Sequence, residues 1–269
     1  MKLAILSDIH EGLNRKNTET SIMAALNRWI AANRPDVFLI AGDMTAGPEK
    51  SLKLLEQLQA DFPAVRVLFV HGNHDVYAAD SQKAYETLLA FRGNLGNGPA
   101  ELGGGWVAVG DGGWYDYSFA IDGYDEADFE RGTFGSFTWP DKLHARWPES
   151  DIGRTELYAE KLERQLRAHV GKKVILVTHT VPFRQFVQVK GDPSWDFFNA
   201  MMGSARYGEL AERYGVKKVV FGHIHTRYRQ EHNGIDAICS PLGYFPHEWG
   251  SASPDEEIAS AVTLVELDT

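Results

Sequence analysis

The chain has 269 residues, of which 43% are hydrophobic and 24% are charged, and its formal net charge is −10. This is the composition of a folded globular protein, and its acidic balance argues against a nucleic-acid duplex as a stable partner, because such a partner requires a basic surface. The single cysteine, Cys239, excludes an internal disulfide and a thiolate metal cluster and is interpreted as a core residue. No apolar run approaches the roughly 20 residues of a membrane span. Met1 leads into a short strand-like segment rather than a signal peptide, so we expect a cytoplasmic protein without a membrane partner.

The first part of the chain predicts alternating strands and helices. Strands are predicted at 3–6, 37–41 and 65–70, because each segment is apolar throughout and ends at a polar or glycine-containing turn. Apolar residues at helical spacing predict helices at 18–33 and around 52–58. This order is typical of an α/β fold whose strands are covered on both faces.

The alternation is interrupted in the middle of the chain and then resumes. A helix is predicted at 81–91 and a strand at 106–109, followed by an acidic, aromatic and irregular segment at about 111–150. Linkers lack aromatic residues, so this segment is interpreted as an insertion packed over the core of a single domain spanning 1–269. Its rings are predicted to be mainly core, with stacking on a substrate base as the alternative. Further helices are predicted at 154–170 and 208–214, and further strands at 174–177, 219–221, 235–239 and 261–267.

Polar side chains follow five of the predicted strands at the points where those strands end. They are Asp8 and His10, then Asp43, then Asn73, His74 and Asp75, then His179, and finally His223 and His225. Because the carboxyl ends of parallel strands share one edge of a sheet, we expect these side chains to converge. The Asp-x-His and His-x-His pairs are separated by two positions, which places both members of a pair on the same side of an extended strand end.

The number and type of these side chains predict a centre with two metal ions. Two carboxylates, one amide and four imidazoles are too many ligands for one ion, and they suit two ions with one carboxylate bridging: Asp8, His10, Asp43, Asn73, His179, His223 and His225. Mixed oxygen and nitrogen ligation fits manganese, iron, zinc or cobalt better than calcium or copper, so two divalent or trivalent ions are expected, with manganese, iron or zinc as the candidates. His74 is then available as a general acid, and Asp75 is predicted to orient its ring.

The motifs Asp8-x-His10, Gly42-Asp43, Gly72-Asn73-His74-Asp75, His179 and Gly222-His223-x-His225 resemble, in type and order, those of the calcineurin-like metallophosphoesterases. The resemblance implies a four-layer αββα sandwich of two mixed sheets flanked by helices, with a dinuclear metal centre. It implies that Asp8, His10 and His225 hold one ion, that Asn73, His179 and His223 hold the other, and that Asp43 bridges them. It also implies that His74 and Asp75 are catalytic.

The predicted function is hydrolysis of a phosphoester by attack of a metal-bridged hydroxide. The chain resembles the class III cyclic-nucleotide phosphodiesterase branch, so a small or nucleotide-like phosphodiester is the first choice. The alternatives are a phosphomonoesterase for a nucleotide, sugar phosphate or phosphoprotein, then a nuclease, then a non-catalytic metal-binding scaffold. Asn14 and Arg15 are candidates for contact with the phosphate, although Arg15 also fits a solvated charge at the start of a helix. His247 is a candidate for a supporting role beside the metal ligands.

Overall fold

The structure, a computed structural model, describes residues 1–268. Its strands are β1 (Lys2–Leu6), β2 (Val37–Ala41), β3 (Arg66–Val70), β4 (Ala100–Gly103), β5 (Trp106–Gly110), β6 (Thr133–Phe134), β7 (Phe137–Thr138), β8 (Lys173–Val177), β9 (Lys218–Phe221), β10 (Tyr228–His232), β11 (Ile235–Cys239) and β12 (Thr263–Glu266). Its α-helices are α1 (Glu11–Asn14), α2 (Ile22–Asn33), α3 (Pro48–Asp61), α4 (Ser81–Leu88), α5 (Glu126–Arg131), α6 (Pro140–His144), α7 (Asp151–Ala168), α8 (Pro193–Phe197), α9 (Ala205–Arg213) and α10 (Pro254–Ala261). Among the described residues, no helix is long and apolar enough to cross a membrane.

Two mixed sheets face each other. The first has the strand order β12-β1-β2-β3 and the second has the order β10-β11-β9-β8-β5-β4. In the first sheet β1, β2 and β3 pair in parallel, and in the second β5, β8, β9 and β11 do so. One core cluster lies between the sheets and includes Leu3, Leu39 and Leu68 from the first sheet with Ile175 and Val220 from the second. Helices cover the outer faces over a second cluster, so the fold is the predicted four-layer αββα sandwich.

The predicted strands are confirmed because their apolar character reflects real burial on both faces. All five residues of β2 are buried, as are four of five in β1, β3 and β8. Helix boundaries differ from the predictions by a few residues where capping decides. Ser21 caps α2, so that helix begins at Ile22 rather than at Thr18. Ser150 caps α7, which therefore begins before the predicted Arg154. The predicted strand at 261–267 is shorter, because residues 254–261 form α10.

The segment 111–150 is more ordered than predicted. It contains α5, the β6–β7 hairpin and α6, and the buried rings of Trp114, Tyr115 and Phe119 support the prediction that the insertion packs on the core. Phe137 and Trp139 instead face a cleft at the ends of the strands. The insertion thus contributes to the core through its first residues and to the cleft through its hairpin.

One expectation needs correction. The residues alone predicted that the polar strand ends share the edge of a single sheet, whereas the structure divides them between two. The loops after β1, β2 and β3 belong to the first sheet, and those after β8 and β9 belong to the second. Hydrogen bonds join the loops of the two sheets: Ser7 N donates to Ser240 O, in the loop after β11 of the second sheet, at 2.9 Å, and His223 N donates to Asp8 Oδ1 at 3.1 Å. The carboxyl ends of both sheets therefore meet in one place.

Candidate metal centre

The loops at this junction have unusual backbone geometry. Four non-glycine residues of the predicted ligand set have positive φ: Asp8 (51°), His10 (45°), Asp43 (56°) and His223 (70°). Each such conformation costs on the order of 1–3 kcal/mol and persists only where the surroundings enforce it. Two motif glycines permit close approach: a Cβ at Gly222 would lie 2.6 Å from Asp8 Oδ2, and one at Gly72 would lie 2.6 Å from Asp43 Cγ. The sheets thus hold the ligand side chains in a fixed, strained arrangement.

The first group of side chains consists of Asp8, His10 and His225. His225 Nε2 lies 3.3 Å from Asp8 Oδ1 and 3.1 Å from His10 Nε2. These three offer ligand atoms that lie within 4.8 Å of one another. Asp8 and His10 are fully buried, so water does not screen the cluster.

The second group consists of Asn73, His179 and His223. Asn73 Oδ1 lies 3.1 Å from His179 Nε2 and 3.1 Å from His223 Nδ1. An amide oxygen and two ring nitrogens therefore point toward one region. These are the residues that the resemblance assigns to a single ion.

Asp43 lies between the two groups. Its Oδ2 is 3.6 Å from His10 Nε2 in the first group and 3.4 Å from His179 Nε2 in the second. Its Oδ1 accepts a hydrogen bond of 2.9 Å from the backbone N–H of His74. The carboxylate is thus placed where a ligand bridging two ions would be.

The outer nitrogens of three histidines have partners outside the cluster, and the inner nitrogens face the other candidate ligands. His179 Nδ1 donates to Ala41 O at 2.8 Å, and His223 Nε2 donates to Met201 O at 3.1 Å. His225 Nδ1 donates to Glu248 Oε2 at 2.7 Å. Metal-bound histidines characteristically donate their other ring N–H to a carboxylate or carbonyl in this way, which fixes the tautomer that ligates.

The electrostatics of the cluster favour cations. Burial lowers the pKa of His179, but Asp43 and Asp8 outweigh it and raise that pKa to about 9. Burial likewise lowers the pKa of His225, and Asp8 and Glu248 raise it to about 10. Burial raises the pKa of Asp43, whereas the histidines around it hold that pKa well below its usual range. The carboxylates thus attract positive charge into a buried site, and the mixed donor set fits two transition-metal ions.

His74 lies at the edge of the cluster, facing the cleft. Its Nε2 is 3.9 Å from Asp43 Oδ2 and 3.5 Å from the hydroxyl of Tyr244. Its ring packs against Tyr77 on one side and His10 on the other, with centroids 4.5 and 4.7 Å apart. The side chain is 18% exposed, so it can reach a bound molecule.

The predicted contact between Asp75 and His74 is not found among the described residues, and this expectation is corrected. The Asp75 carboxylate is fully buried and accepts five hydrogen bonds, from the backbone N–H groups of Asp43, Met44, Thr45 and Gly72 and from the hydroxyl of Ser51. The four backbone donors belong to the loops that carry Asp43 and Asn73, and Ser51 lies in α3. Asp75 therefore fixes the loop backbone rather than the His74 ring.

The two candidates for phosphate contact are also corrected. Asn14 is buried, and its amide is fully used by the backbone: it donates to Ile9 and Gly243 and accepts from Phe245. The Arg15 side chain is 71% exposed and lies 3.9 Å from Glu11. Neither residue lines the cleft.

His247 is exposed and has no contact with the ligands among the described residues, whereas its neighbour Glu248 hydrogen-bonds to His225. Tyr244 and Asp141 were also missed by the sequence analysis. The Tyr244 ring packs on His10 with centroids 4.4 Å apart, and the Asp141 carboxylate accepts from Asn73 Nδ2 at 2.7 Å. A tyrosine or acidic residue outside the motifs gives no sequence signal of such a contact.

A cleft with a volume of about 760 Å³ opens over the cluster. Its floor includes Asp43, Asn73, His74, His223 and His225. Its apolar walls come from the insertion and from the segment around α8, and they include Phe137, Trp139, Trp195, Phe198 and Met202. The volume falls within the range of about 300–1,000 Å³ that is usual for small-molecule sites.

The structure is an α/β sandwich of two mixed sheets with a buried cluster of carboxylates and imidazoles at its loops that could hold metal ions. Comparison with known proteins makes the assignment specific. The family model described as calcineurin-like phosphoesterase matches residues 1–227, and the chain belongs to that family. No curated protein matches the chain at a significant level.

Solved structures share the fold at low sequence identity. Phosphopantetheinyl hydrolase from Mycobacterium tuberculosis is similar with a TM-score of 0.71 and 20% identity, over 92% of this chain and 91% of that one. A dimetal phosphatase from Danio rerio is similar with a TM-score of 0.56 and 15% identity, over 89% of this chain and 86% of that one. These similarities support the assignment of the fold. Inferences about the reaction depend on the residues of the candidate site.

Proposed function

We propose that this protein is a dinuclear metal-dependent phosphoester hydrolase that cleaves a small or nucleotide-like phosphodiester. Asp8, His10 and His225 would hold one ion, and Asn73, His179 and His223 the other, with Asp43 shared. The position of Asp43 Oδ2, 3.6 Å from His10 and 3.4 Å from His179, is the observation that carries the dinuclear proposal.

The two ions would supply Lewis acidity to the phosphoryl oxygens and lower the pKa of a water molecule so that it can attack phosphorus near neutral pH. The protein supplies the remaining functions. His74 lines the cleft, which supports the proposal that its ring donates a proton to the leaving oxygen. The Tyr244 hydroxyl, 3.5 Å from His74 Nε2, limits the positions of the ring.

The cleft supports a diester over a monoester. A phosphate bound over the ligand cluster would leave most of the 760 Å³ cleft for the ester substituents. The apolar walls suit the second ester group of a diester better than the additional charged oxygen of a monoester. The hydrolase from Mycobacterium tuberculosis is named for a phosphopantetheinyl group, and this name supports the proposal of a substrate with a large ester substituent.

One panel of substrates tests this function. Protein reconstituted with manganese, iron or zinc is assayed with bis(p-nitrophenyl) phosphate, p-nitrophenyl phosphate and cyclic nucleotides. We expect the diesters to have the higher kcat/KM. A higher kcat/KM for the monoester would assign the protein to the phosphomonoesterases, and no turnover with any substrate by metal-loaded protein would favour a binding role.

The role of His74 is tested by the dependence on the leaving group. Removing a general acid costs about 10²–10⁴-fold in rate when the leaving group needs a proton, and less when it does not. We therefore expect His74→Ala to slow alkyl phosphodiesters more than nitrophenyl ones. His144→Ala is the matched control, because the His144 ring also packs on Tyr77 but does not line the cleft. Equal losses on both substrates would exclude proton donation by His74.

A further inference from the structure

The insertion places one buried carboxylate beside the predicted metal ligands. Asp141 lies in the first turn of α6, directly after the β6–β7 hairpin, and is 2% exposed. Its Oδ1 accepts hydrogen bonds from Asn73 Nδ2 at 2.7 Å and from the Tyr77 hydroxyl at 2.6 Å. Its Oδ2 accepts from Trp139 Nε1 at 2.9 Å. All three partners of this carboxylate line the cleft.

These contacts determine which end of the Asn73 amide faces the histidines. The amide nitrogen has two hydrogens, and both have acceptors: Asp141 Oδ1, and the Tyr77 oxygen at 3.2 Å. The amide oxygen is left facing His179 and His223. A rotation of the amide by 180° would bring N–H groups toward the metal position and leave the Asp141 carboxylate facing an oxygen. The amide oxygen is a metal ligand, and the NH₂ group is not.

We propose that Asp141 is a positioning residue that fixes the Asn73 amide oxygen toward one of the two metal ions, so that the insertion completes the metal centre. This inference rests on the proposed function, because it assigns Asn73 as a ligand. It gives the insertion a role at the metal as well as at the cleft. Residues that orient metal ligands typically contribute about 10- to 100-fold to metal affinity.

The arrangement of donors makes the proposal testable by substitution and rescue. In an Asp141→Asn variant the side chain has one acceptor oxygen for donors on both of its sides. If that oxygen faces Asn73 and Tyr77, the new NH₂ group faces the indole N–H of Trp139. If the amide is turned the other way, the new NH₂ group faces the NH₂ group of Asn73. In both orientations a donor faces a donor. Replacing Trp139 by Phe removes the donor on the Oδ2 side. The double variant Asp141→Asn/Trp139→Phe can therefore keep its oxygen toward Asn73 without opposing donors.

The experiment is a titration of purified full-length protein, treated first with a chelator, with Mn²⁺. Calorimetry gives the stoichiometry and affinity, and electron paramagnetic resonance gives the signal of a coupled manganese pair. We expect the wild type to bind two ions and Asp141→Asn to bind one of them about 10- to 100-fold more weakly, with loss of the coupled signal at limiting Mn²⁺. Trp139→Phe alone should keep both ions, and the double variant should recover most of the lost affinity.

Asp151→Asn is the matched control. Asp151 belongs to the segment that follows the insertion and also accepts from a tryptophan indole, Trp114 Nε1 at 2.7 Å, and from a tyrosine hydroxyl, that of Tyr117. Its ion pair with Lys142 of α6 makes it a stringent control for loss of stability near Asp141. Asp151 does not line the cleft, so its substitution should leave metal binding unchanged. The same loss in Asp151→Asn, or no recovery in the double variant, would show that Asp141 acts only through stability and would overturn the proposal.

Failure of the underlying function has a different signature. If the wild type binds no manganese pair, the proposed metal centre is itself wrong. If the wild type binds two ions and Asp141→Asn binds them with unchanged affinity, the metal centre stands and the role of Asp141 is wrong.

Discussion

Replacing Asp75 by Asn should destabilise the protein far more than a change of one atom suggests. Both oxygens of the buried carboxylate face only donors. Oδ2 accepts from Gly72 N and Asp43 N, each at 2.8 Å. Oδ1 accepts from Met44 N at 3.1 Å, Thr45 N at 3.3 Å and the Ser51 hydroxyl at 2.5 Å.

The magnitude follows from the number of donors that lose their acceptor. An asparagine oxygen can replace Oδ1 and keep three donors, which leaves the amide NH₂ against the N–H groups of Gly72 and Asp43. Each buried donor left without a partner costs about 1–3 kcal/mol, so the free energy of unfolding should fall by about 2–6 kcal/mol. That is a large part of the roughly 5–15 kcal/mol that stabilises a typical domain.

The measurement is urea unfolding of chelator-treated protein at pH 8. Burial, and then the nearby Asp43, raise the pKa of Asp75 to about 7, and pH 8 keeps its carboxylate ionised. Asp80→Asn is the control, because exposed Asp80 accepts from Lys83 N at the start of α4 and Asn caps a helix as well as Asp does. Unchanged stability of Asp75→Asn, with turnover lost selectively on poor leaving groups, would refute this reasoning and restore Asp75 as the residue that orients His74.

Two further predictions concern His71 and Glu248. Burial lowers the pKa of His71 to about 4, below the 6.5 of an unfolded chain. As pH falls, the unfolded state takes up a proton at His71 before the folded state does. The free energy of unfolding should therefore drop by about 3 kcal/mol between pH 7 and pH 4, relative to a His71→Asn variant. If urea unfolding gave parallel pH profiles for the two proteins, this prediction would be contradicted. Glu248→Gln should weaken the binding of one metal ion by about tenfold in a calorimetric titration, because Glu248 holds the outer nitrogen of His225 but is partly exposed. The control is Glu256→Gln, which alters an exposed hydrogen bond from Ser251 and should not change the metal affinity. Equal effects of the two variants would show that Glu248 does not support metal binding through His225.

The strand ends were predictable from sequence because two local signals coincide there. An apolar run such as Val37–Ala41 marks a buried strand, and the polar residue after its glycine marks the edge at which such strands end. The spacing of two in Asp8-x-His10 and His223-x-His225 predicted side-chain directions for an extended strand end, and this part of the reasoning was wrong, because Asp8, His10 and His223 have positive φ. Nothing in these signals says how the strands are divided between sheets, which is set by packing across the core.

The residues that hydrogen-bond to or pack on the candidate metal ligands were not predictable either, because tertiary packing decides these contacts. Asp141 reaches the ligands from α6, and Tyr244 and Glu248 reach them from a loop after β11. These positions are separated from the ligands in sequence, and only the tertiary fold brings them together. The role of Asp75 was predicted wrongly because adjacency to His74 suggests a contact between the two side chains. In the short helical turn at His74–Val76 the Asp75 side chain is directed to the neighbouring loop instead.

The division of the ligands between two sheets has a consequence for the chain as a whole. Asp8, Asp43 and Asn73 follow strands of the first sheet, and His179, His223 and His225 follow strands of the second. An ion held by ligands from both sheets would act as a non-covalent crosslink between the two halves of the sequence, in a protein whose single cysteine cannot form an internal disulfide. Assembly of the tertiary structure and loading with metal would then be thermodynamically linked, and neither half alone would carry a complete set of ligands.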